Sequence, residues 1–237
     1  MPCSSIETRG KAMDWKTHQQ EVLACRKCPR LVAWREQVAR EKRAAFRDWD
    51  YWGKPVPGFG DEHARLMVVG LAPGAHGSNR TGRMFTGDAS GDFLYPALYR
   101  AGFCNQSTSA HREDGLQLHD VYITAVGRCA PPQNRPARQE LLNCRPYLIA
   151  EIQLLYNLQG FMALGSIAFE NLLQIYQSFY GYEFDKKPRF VHGAFYEFPK
   201  LPWLLASYHP SRQNTQTGRL TTSMFDEVWL QAKMNLP

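Results

Sequence analysis

Arg65-Leu66-Met67-Val68-Val69 runs directly into Gly70-Leu71-Ala72-Pro73-Gly74-Ala75-His76-Gly77-Ser78-Asn79-Arg80-Thr81-Gly82. An apolar run with no polar alternation describes a strand buried on both faces, the habit of strands in parallel sheets. The glycines that follow open a loop at the strand's carboxyl end and let backbone approach a phosphate or a base closely. The same pattern recurs along the chain. Val121-Tyr122-Ile123-Thr124-Ala125-Val126 precedes a proline-rich loop, Phe161-Met162-Ala163-Leu164 precedes Gly165-Ser166, and Trp203-Leu204-Leu205-Ala206 precedes a loop that begins at Ser207. Helical patterns at 92–100, 138–158, 167–176 and 222–234 separate or follow them. Strands alternating with helices predict an α/β fold with a mostly parallel sheet, helices on both faces and ligands at the carboxyl edge.

A chain of 237 residues is read as one domain, at 21–237, preceded by a poorly ordered extension at 1–20; Met13 is a second candidate start. The 28 Lys and Arg outweigh 22 Asp and Glu to leave a net charge of +6, which suits a polyanionic partner without demanding one. No apolar run reaches membrane-spanning length, and residues 1–15 lack the apolar core of a secretory signal. The expected protein is soluble, cytoplasmic and DNA-associated. Residues 31–49 read as a helix with Leu31, Trp34 and Val38 on one face and Arg35, Arg40, Lys42, Arg43 and Arg47 mostly elsewhere, a basic surface able to meet phosphates.

The six cysteines do not resemble the framework of a small secreted domain. Cys25-Arg26-Lys27-Cys28 is a C-x-x-C pair, and Cys129 and Cys144 make a wider second pair. Four thiolates at these positions can hold Zn²⁺ or a 4Fe-4S cluster, and the spacing alone does not choose. Cys3 and Cys104 read as free thiols. Two other chemistries lose support: the glycine-rich loop lacks the G-K-[ST] and G-x-G-x-x-G patterns of nucleotide sites. His111-Arg112-Glu113 spells the H-x-E of a zinc deaminase, but no P-C-x-x-C follows it. The continuation Arg83-Met84-Phe85-Thr86-Gly87-Asp88-Ala89-Ser90-Gly91 sets an aromatic and a carboxylate among small residues, and Asp88 alone reads as a helix N-cap.

Taken together, GLAPGAHGSNRTGRMFTGDASG, TAVGRCAPP at 124–132 and SYHPSRQNTQTGRL at 207–220 resemble the family-five, or type b, branch of the uracil-DNA glycosylase superfamily. The likeness runs from about Cys25 to the last helix. It implies a three-layer α/β/α sandwich with a central four-stranded, mostly parallel sheet, and makes Cys25, Cys28, Cys129 and Cys144 the ligands of a structural 4Fe-4S cluster. It also implies that Phe85 stacks on a base flipped from DNA while Asp88 activates water or stabilises the oxocarbenium-like sugar. His209 is expected near the leaving base, with Asn134 a further polar pocket residue and Gly70, Ala72, Pro73, Gly74, Asn79 and Ala125 lining the substrate site. Arg212, Gln213 and Asn214 resemble the superfamily loop that enters the minor groove.

The chain departs from the uracil-specific branches, which carry asparagine at the Ala125 position, and the most familiar branch carries aspartate at the Ala72 position. The implied range is therefore broad: uracil in double-stranded DNA, extending to hypoxanthine and xanthine. No lysine is placed for Schiff-base chemistry, Lys54 being the nearest, so a monofunctional enzyme acting as a monomer is expected. The alternative is a non-catalytic iron–sulfur or zinc protein that binds nucleic acid; Asp88, Phe85 and His209 together argue for the enzyme.

Overall fold

The structure, a computed structural model, describes residues 13–236; Cys3 and the first twelve residues of the expected extension lie outside them. In chain order the elements are α1 (Trp15–Ala24), α2 (Pro29–Glu41), β1 (Phe59–Gly60), β2 (Leu66–Gly70), α3 (Ser78–Thr81), α4 (Ala89–Arg100), β3 (Val121–Ala125), α5 (Arg138–Leu154), β4 (Gly160–Leu164), α6 (Ser166–Ser178), β5 (Phe195–Phe198), β6 (Leu201–Ser207), α7 (Arg212–Gln216) and α8 (Thr222–Met234).

The strands form one six-stranded sheet in the order β1-β3-β2-β4-β6-β5. The central β3-β2-β4-β6 strands are parallel, with Gly70 opposite Ala125, Val69 opposite Ala163 and Leu164 opposite Ser207. The expected four-stranded sheet is thus the core of a larger, mixed one. β1 and β5 add antiparallel edges. Two residues of β1 are too few to show a period, and β5 carries a bulge that breaks its alternation.

Two-sided burial is explicit in the register. Leu66, Val68, Ile123, Met162 and Leu205 face Leu94, Leu98, Phe225 and Trp229 of α4 and α8. Met67, Val69, Phe161, Ala163 and Leu204 face Leu148, Ile152, Leu172 and Leu173 of α5 and α6. Successive side chains of each strand enter opposite cores, the expected consequence of the two-residue strand period. The three-layer α/β/α arrangement follows.

Two expectations change. Residues 15–20 belong to α1 rather than to a loose extension: Asp14 caps the helix by accepting from Thr17 N at 2.7 Å, and His18 is buried. The basic helix expected at 31–49 stops at Glu41, because Lys42 turns to φ 52° and a 3₁₀ turn follows at Ala44–Phe46. Arg35, expected on the polar surface, is buried.

The His18 helix is tied down by a buried polar network. Glu151 of α5 is 0 % exposed and takes Arg128 Nη2 at 2.5 Å, Thr124 Oγ1 at 2.7 Å, Tyr122 Oη at 3.3 Å and His18 Nε2 at 3.3 Å. Arg128 also donates to Thr124 Oγ1. Arg128 keeps the Glu151 carboxyl ionised below its usual range, against the opposing pull of burial. Removing one partner of a buried pair strands the other. Glu151→Ala is expected to cost about 3–5 kcal/mol of stability, measured by urea unfolding followed through the far-ultraviolet circular dichroism.

Candidate active site and cysteine cluster

The loops leaving β2, β3, β4 and β6 meet at the carboxyl edge of the parallel strands. After β2, Gly70 and Leu71 receive Val126 N at 3.0 Å and Gly127 N at 2.9 Å from the loop after β3. The glycine-rich loop then folds back through Asn79 N to Gly74 O at 2.9 Å and closes with the one-turn α3.

Asp88 is the N-cap of α4, its Oδ1 accepting from Ser90 N at 3.0 Å and Gly91 N at 3.2 Å. The capping role and a site role coincide, because only one carboxylate oxygen is engaged. Oδ2 lies over Gly77, where it occupies the space of a Cβ, and 2.9 Å from the Cβ position of Gly74. Gly77 has ordinary φ of −97°, so the demand there is for space. Burial pushes the Asp88 carboxyl above its usual range, opposed by the two backbone N–H donors and by Arg80, and reinforced by Asp92.

Phe85 sits in the left-handed region at φ 52°, and its ring edge lies 2.7 Å from the Cβ position of Gly70. That conformation strains a bulky residue, and its neighbours supply the constraint. Tyr95 Oη donates to Met84 O at 2.8 Å. Arg83 forks onto Asp114 at 2.8 and 2.7 Å and also donates to Thr86 Oγ1 at 3.0 Å and Ser109 Oγ at 2.8 Å. Although burial opposes it, this arginine with the backbone donors of Leu116 and Ala110 holds the Asp114 carboxyl down to about 2.

His209 follows β6 and meets Phe85 with ring centroids 5.8 Å apart and planes at 31°. Asn214 Nδ2 donates to His209 O at 2.9 Å, so the expected loop at Arg212, Gln213 and Asn214 is a short helix whose third residue braces the histidine while Arg212 and Gln213 stay exposed. His192 braces it from the other side: Nδ1 accepts from Tyr208 N at 3.1 Å and the ring stacks on Tyr208 at 4.9 Å. Burial lowers the His209 pKa to about 4.

Asp88 thus lies against Gly74 and Gly77, and Phe85 against Gly70 and His209, at the carboxyl edge of the parallel strands. Ala72 lies near Gly127, and Ala125 ends β3 beside Gly70. Pro73 is buried in the loop. Asn79 is turned away: wholly buried, it donates to Arg35 O at 3.2 Å and supports the loop from beneath. Asn134 is exposed, at φ 56°, and its side chain makes no hydrogen bond among the described residues.

The four cysteines come together from α1, α2, α5 and the loop after β3. All are free; Cys28 caps α2, Cys25 ends α1, and Cys28, Cys129 and Cys144 are buried. Cys129 stands within electrostatic reach of Cys25 and Cys144, and Cys144 within reach of Cys25 and Cys28. Among the described residues no three His, Cys, Asp or Glu side chains close on a single metal ion as they stand. Two N–H donors point at sulfur: Arg35 Nη1 to Cys129 Sγ at 3.0 Å and Asn143 Nδ2 to Cys28 Sγ at 3.3 Å. Cys104 is free, as expected, and buried, its Sγ beside Gln106 O and Tyr95 O.

The structure therefore places a carboxylate, an aromatic ring and a buried imidazole at the carboxyl edge of a parallel sheet, where open α/β sheets bind ligands. Residues 57–233 match the Uracil DNA glycosylase superfamily. The chain is 54 % identical to a type-5 uracil-DNA glycosylase of Thermus thermophilus, over 93 % of this chain and 98 % of that one. It is 50 % identical to a type-5 uracil-DNA glycosylase of Mycobacterium leprae, over 90 % of this chain and 92 % of that one. A type-4 uracil-DNA glycosylase of Pyrobaculum aerophilum is 38 % identical over 53 % of this chain and 56 % of its own length. The chain belongs to the uracil-DNA glycosylase superfamily, in its type-5 branch.

Arg80, Arg83, His192 and Arg35 were not legible as site supports in the sequence; the one available signal was the density of arginines flanking the glycine-rich loop. The neutral state of His209 has a direct test. Its folded pKa lies below the unfolded value of about 6.5, so the unfolded chain binds the proton first as pH falls. Stability from this group is present above about pH 6.5 and declines as pH approaches about 4. In ¹⁵N-labelled protein at pH 5, the His209 imidazole is expected to give the chemical shifts of a neutral ring.

Proposed function

We propose that the protein is a monofunctional DNA glycosylase that removes uracil from double-stranded DNA and leaves an abasic site. The observation that carries the proposal is the placement of Asp88 and of the Phe85–His209 pair at the carboxyl edge of the sheet, in a chain half identical to type-5 uracil-DNA glycosylases. Extrusion of the nucleotide costs a few kcal/mol, least at a mismatch, which favours uracil opposite guanine. The extruded ring stacks on Phe85. The free oxygen of Asp88 orients the attacking water and stabilises positive charge on the sugar as the glycosidic bond breaks. Raised by burial, this carboxyl needs the α4 N-terminus and its two N–H donors to stay ionised. As a neutral imidazole, His209 supplies an N–H to the base that leaves with the bond electrons. Asn134 and the exposed Arg212 and Gln213 belong to the DNA-facing rim in this reading, with Arg43 and Arg47 as phosphate contacts.

The four cysteines hold a 4Fe-4S cluster in the same reading. An all-thiolate donor set with N–H groups aimed at two of its sulfurs suits iron–sulfur ligation. When bound, the cluster ties α1, α2 and α5 to the loop after β3. Nothing in the reaction requires it to change oxidation state. The enzyme is expected to act as a monomer, one copy engaging one lesion.

Asp88 is tested by two variants on uracil-containing duplex, with alkali cleaving abasic sites. Asparagine keeps the cap and loses the charge, whereas alanine loses both. Asp88→Ala is expected to be less stable by about 1 kcal/mol and Asp88→Asn close to wild type, yet both are expected to lose base release. Wild-type release from Asp88→Asn would exclude the carboxylate. Substrate breadth is tested on hypoxanthine-containing duplex: the small Ala125, with no amide to read uracil's edge, is expected to permit purine release.

A further inference from the structure

Between the cleft and the aromatic segment at 46–52 lies a buried cation that the proposed reaction does not yet use. Arg80, on α3, is 3 % exposed. Its guanidinium carbon lies 3.9 Å from the Phe46 ring centroid and 4.0 Å from that of Trp49. The two rings stand at 83° to each other, so they meet the group from adjacent sides; Nε donates to His76 O at 2.8 Å and Nη2 donates to Gly87 O at 2.8 Å. Nη1 is buried without a hydrogen-bond partner. Among the described residues no carboxylate stands within ion-pair distance of the group. Its charge is therefore left uncancelled.

The two carbonyls it joins are not arbitrary. His76 precedes Gly77, over which the free oxygen of Asp88 lies, and Gly87 immediately precedes Asp88. One planar group thus fixes both walls that confine the carboxylate. Gly87 adopts φ 75°, and a Cβ there would collide with Nη2, so the chain keeps glycine where the guanidinium closes on it. Lysine has a single nitrogen and no planar fork, so it could not join both carbonyls while packing against the two rings.

We infer that Arg80 is a positioning residue of the reaction: by joining His76 O to Gly87 O its guanidinium clamps the loop on both sides of Asp88 and brings a buried cation to the segment that holds it. The inference rests on the proposed role of Asp88. The groups facing that carboxylate are consistent with it. Ser90 N–H, Gly91 N–H and Arg80 favour the charge, while Asp92 and burial oppose it. Tyr95, beneath the loop, feels the Asp88 charge in turn, its phenol raised chiefly by burial.

The test is single-turnover uracil release from duplex DNA as a function of pH for wild type, Arg80→Met, Arg80→Lys and Asp88→Ala, with folding checked by circular dichroism. Arg80→Met is expected to move the acid limb of the rate profile upward by about one pH unit and to lower the plateau at least about tenfold. Arg80→Lys, which keeps the charge and loses the clamp, is expected to lower the plateau with the limb close to its wild-type position. A folded Arg80→Met with wild-type limb and plateau, beside an inactive Asp88→Ala, would overturn the role of Arg80 and leave the catalytic reading intact. Activity retained by Asp88→Ala would overturn both. A change confined to KM, with the limb unmoved, would make Arg80 a DNA contact and refute the clamp. Should Arg80→Met not fold, Trp49→Leu removes one of the rings packed on Arg80 without removing charge: a lowered plateau with an unmoved limb supports the clamp, and an unchanged plateau refutes it.

Discussion

An arginine cannot shed its proton inside a protein, so a fold that buries one must bring acceptors to it or carry an uncancelled charge. Arg35, Arg80, Arg83 and Arg128 are all buried here, and each bonds a loop at the carboxyl edge to its surroundings. Arg128 joins the end of β3 to Glu151 and lies next to Cys129. Arg35 reaches Cys129 sulfur with its side chain while its own carbonyl takes the amide of Asn79. Arg83 pins the turn that carries Phe85, and Arg80 spans the walls around Asp88. The irregular segments of the cleft owe their shape to these fixed donors.

The same arrangement explains how one aspartate serves structure and chemistry together. A cap needs one oxygen, and Asp88 offers one to the first turn of α4 while the other lies over glycines too small to obstruct it. The α4 N-terminus favours the negative charge and burial disfavours it. A carboxylate balanced in this way is poised to interact with a developing cation. His209 lies in the same low-dielectric region and responds in the opposite sense, because burial of a base favours its neutral form. A single physical cause, loss of water, separates the two groups' protonation behaviour.

A chain of contacts also connects the cysteines to the cleft. From Cys129 it runs through Arg35 to Asn79, and from Asn79 N to Gly74, beside the Asp88 carboxylate. Asn79 thereby acts on the loop from behind rather than lining it. The division of labour is between residues that meet the cleft and residues that hold the loop from the protein side.

By itself the sequence determined the alternating strand and helix pattern, the four parallel strands and the residues at their carboxyl ends, because burial on both faces leaves an unbroken apolar run and the loops carry the distinctive glycines, prolines and histidine. It also marked Asp88 as a helix N-cap, which the structure shows. It did not disclose α1, which is short and packs through a buried His18, nor the edge strands β1 and β5, whose length or bulge hides their period. It assigned Arg35 to a polar surface because periodicity records which residues share a face and not what lies opposite. Only the tertiary structure decided that Arg35 meets a cysteine, that Arg80 packs on two rings and joins two carbonyls, and that Asn79 faces inward. Those partners stand up to 94 positions away in the chain, and hydrogen bonds over such separations leave no local pattern for a sequence to display.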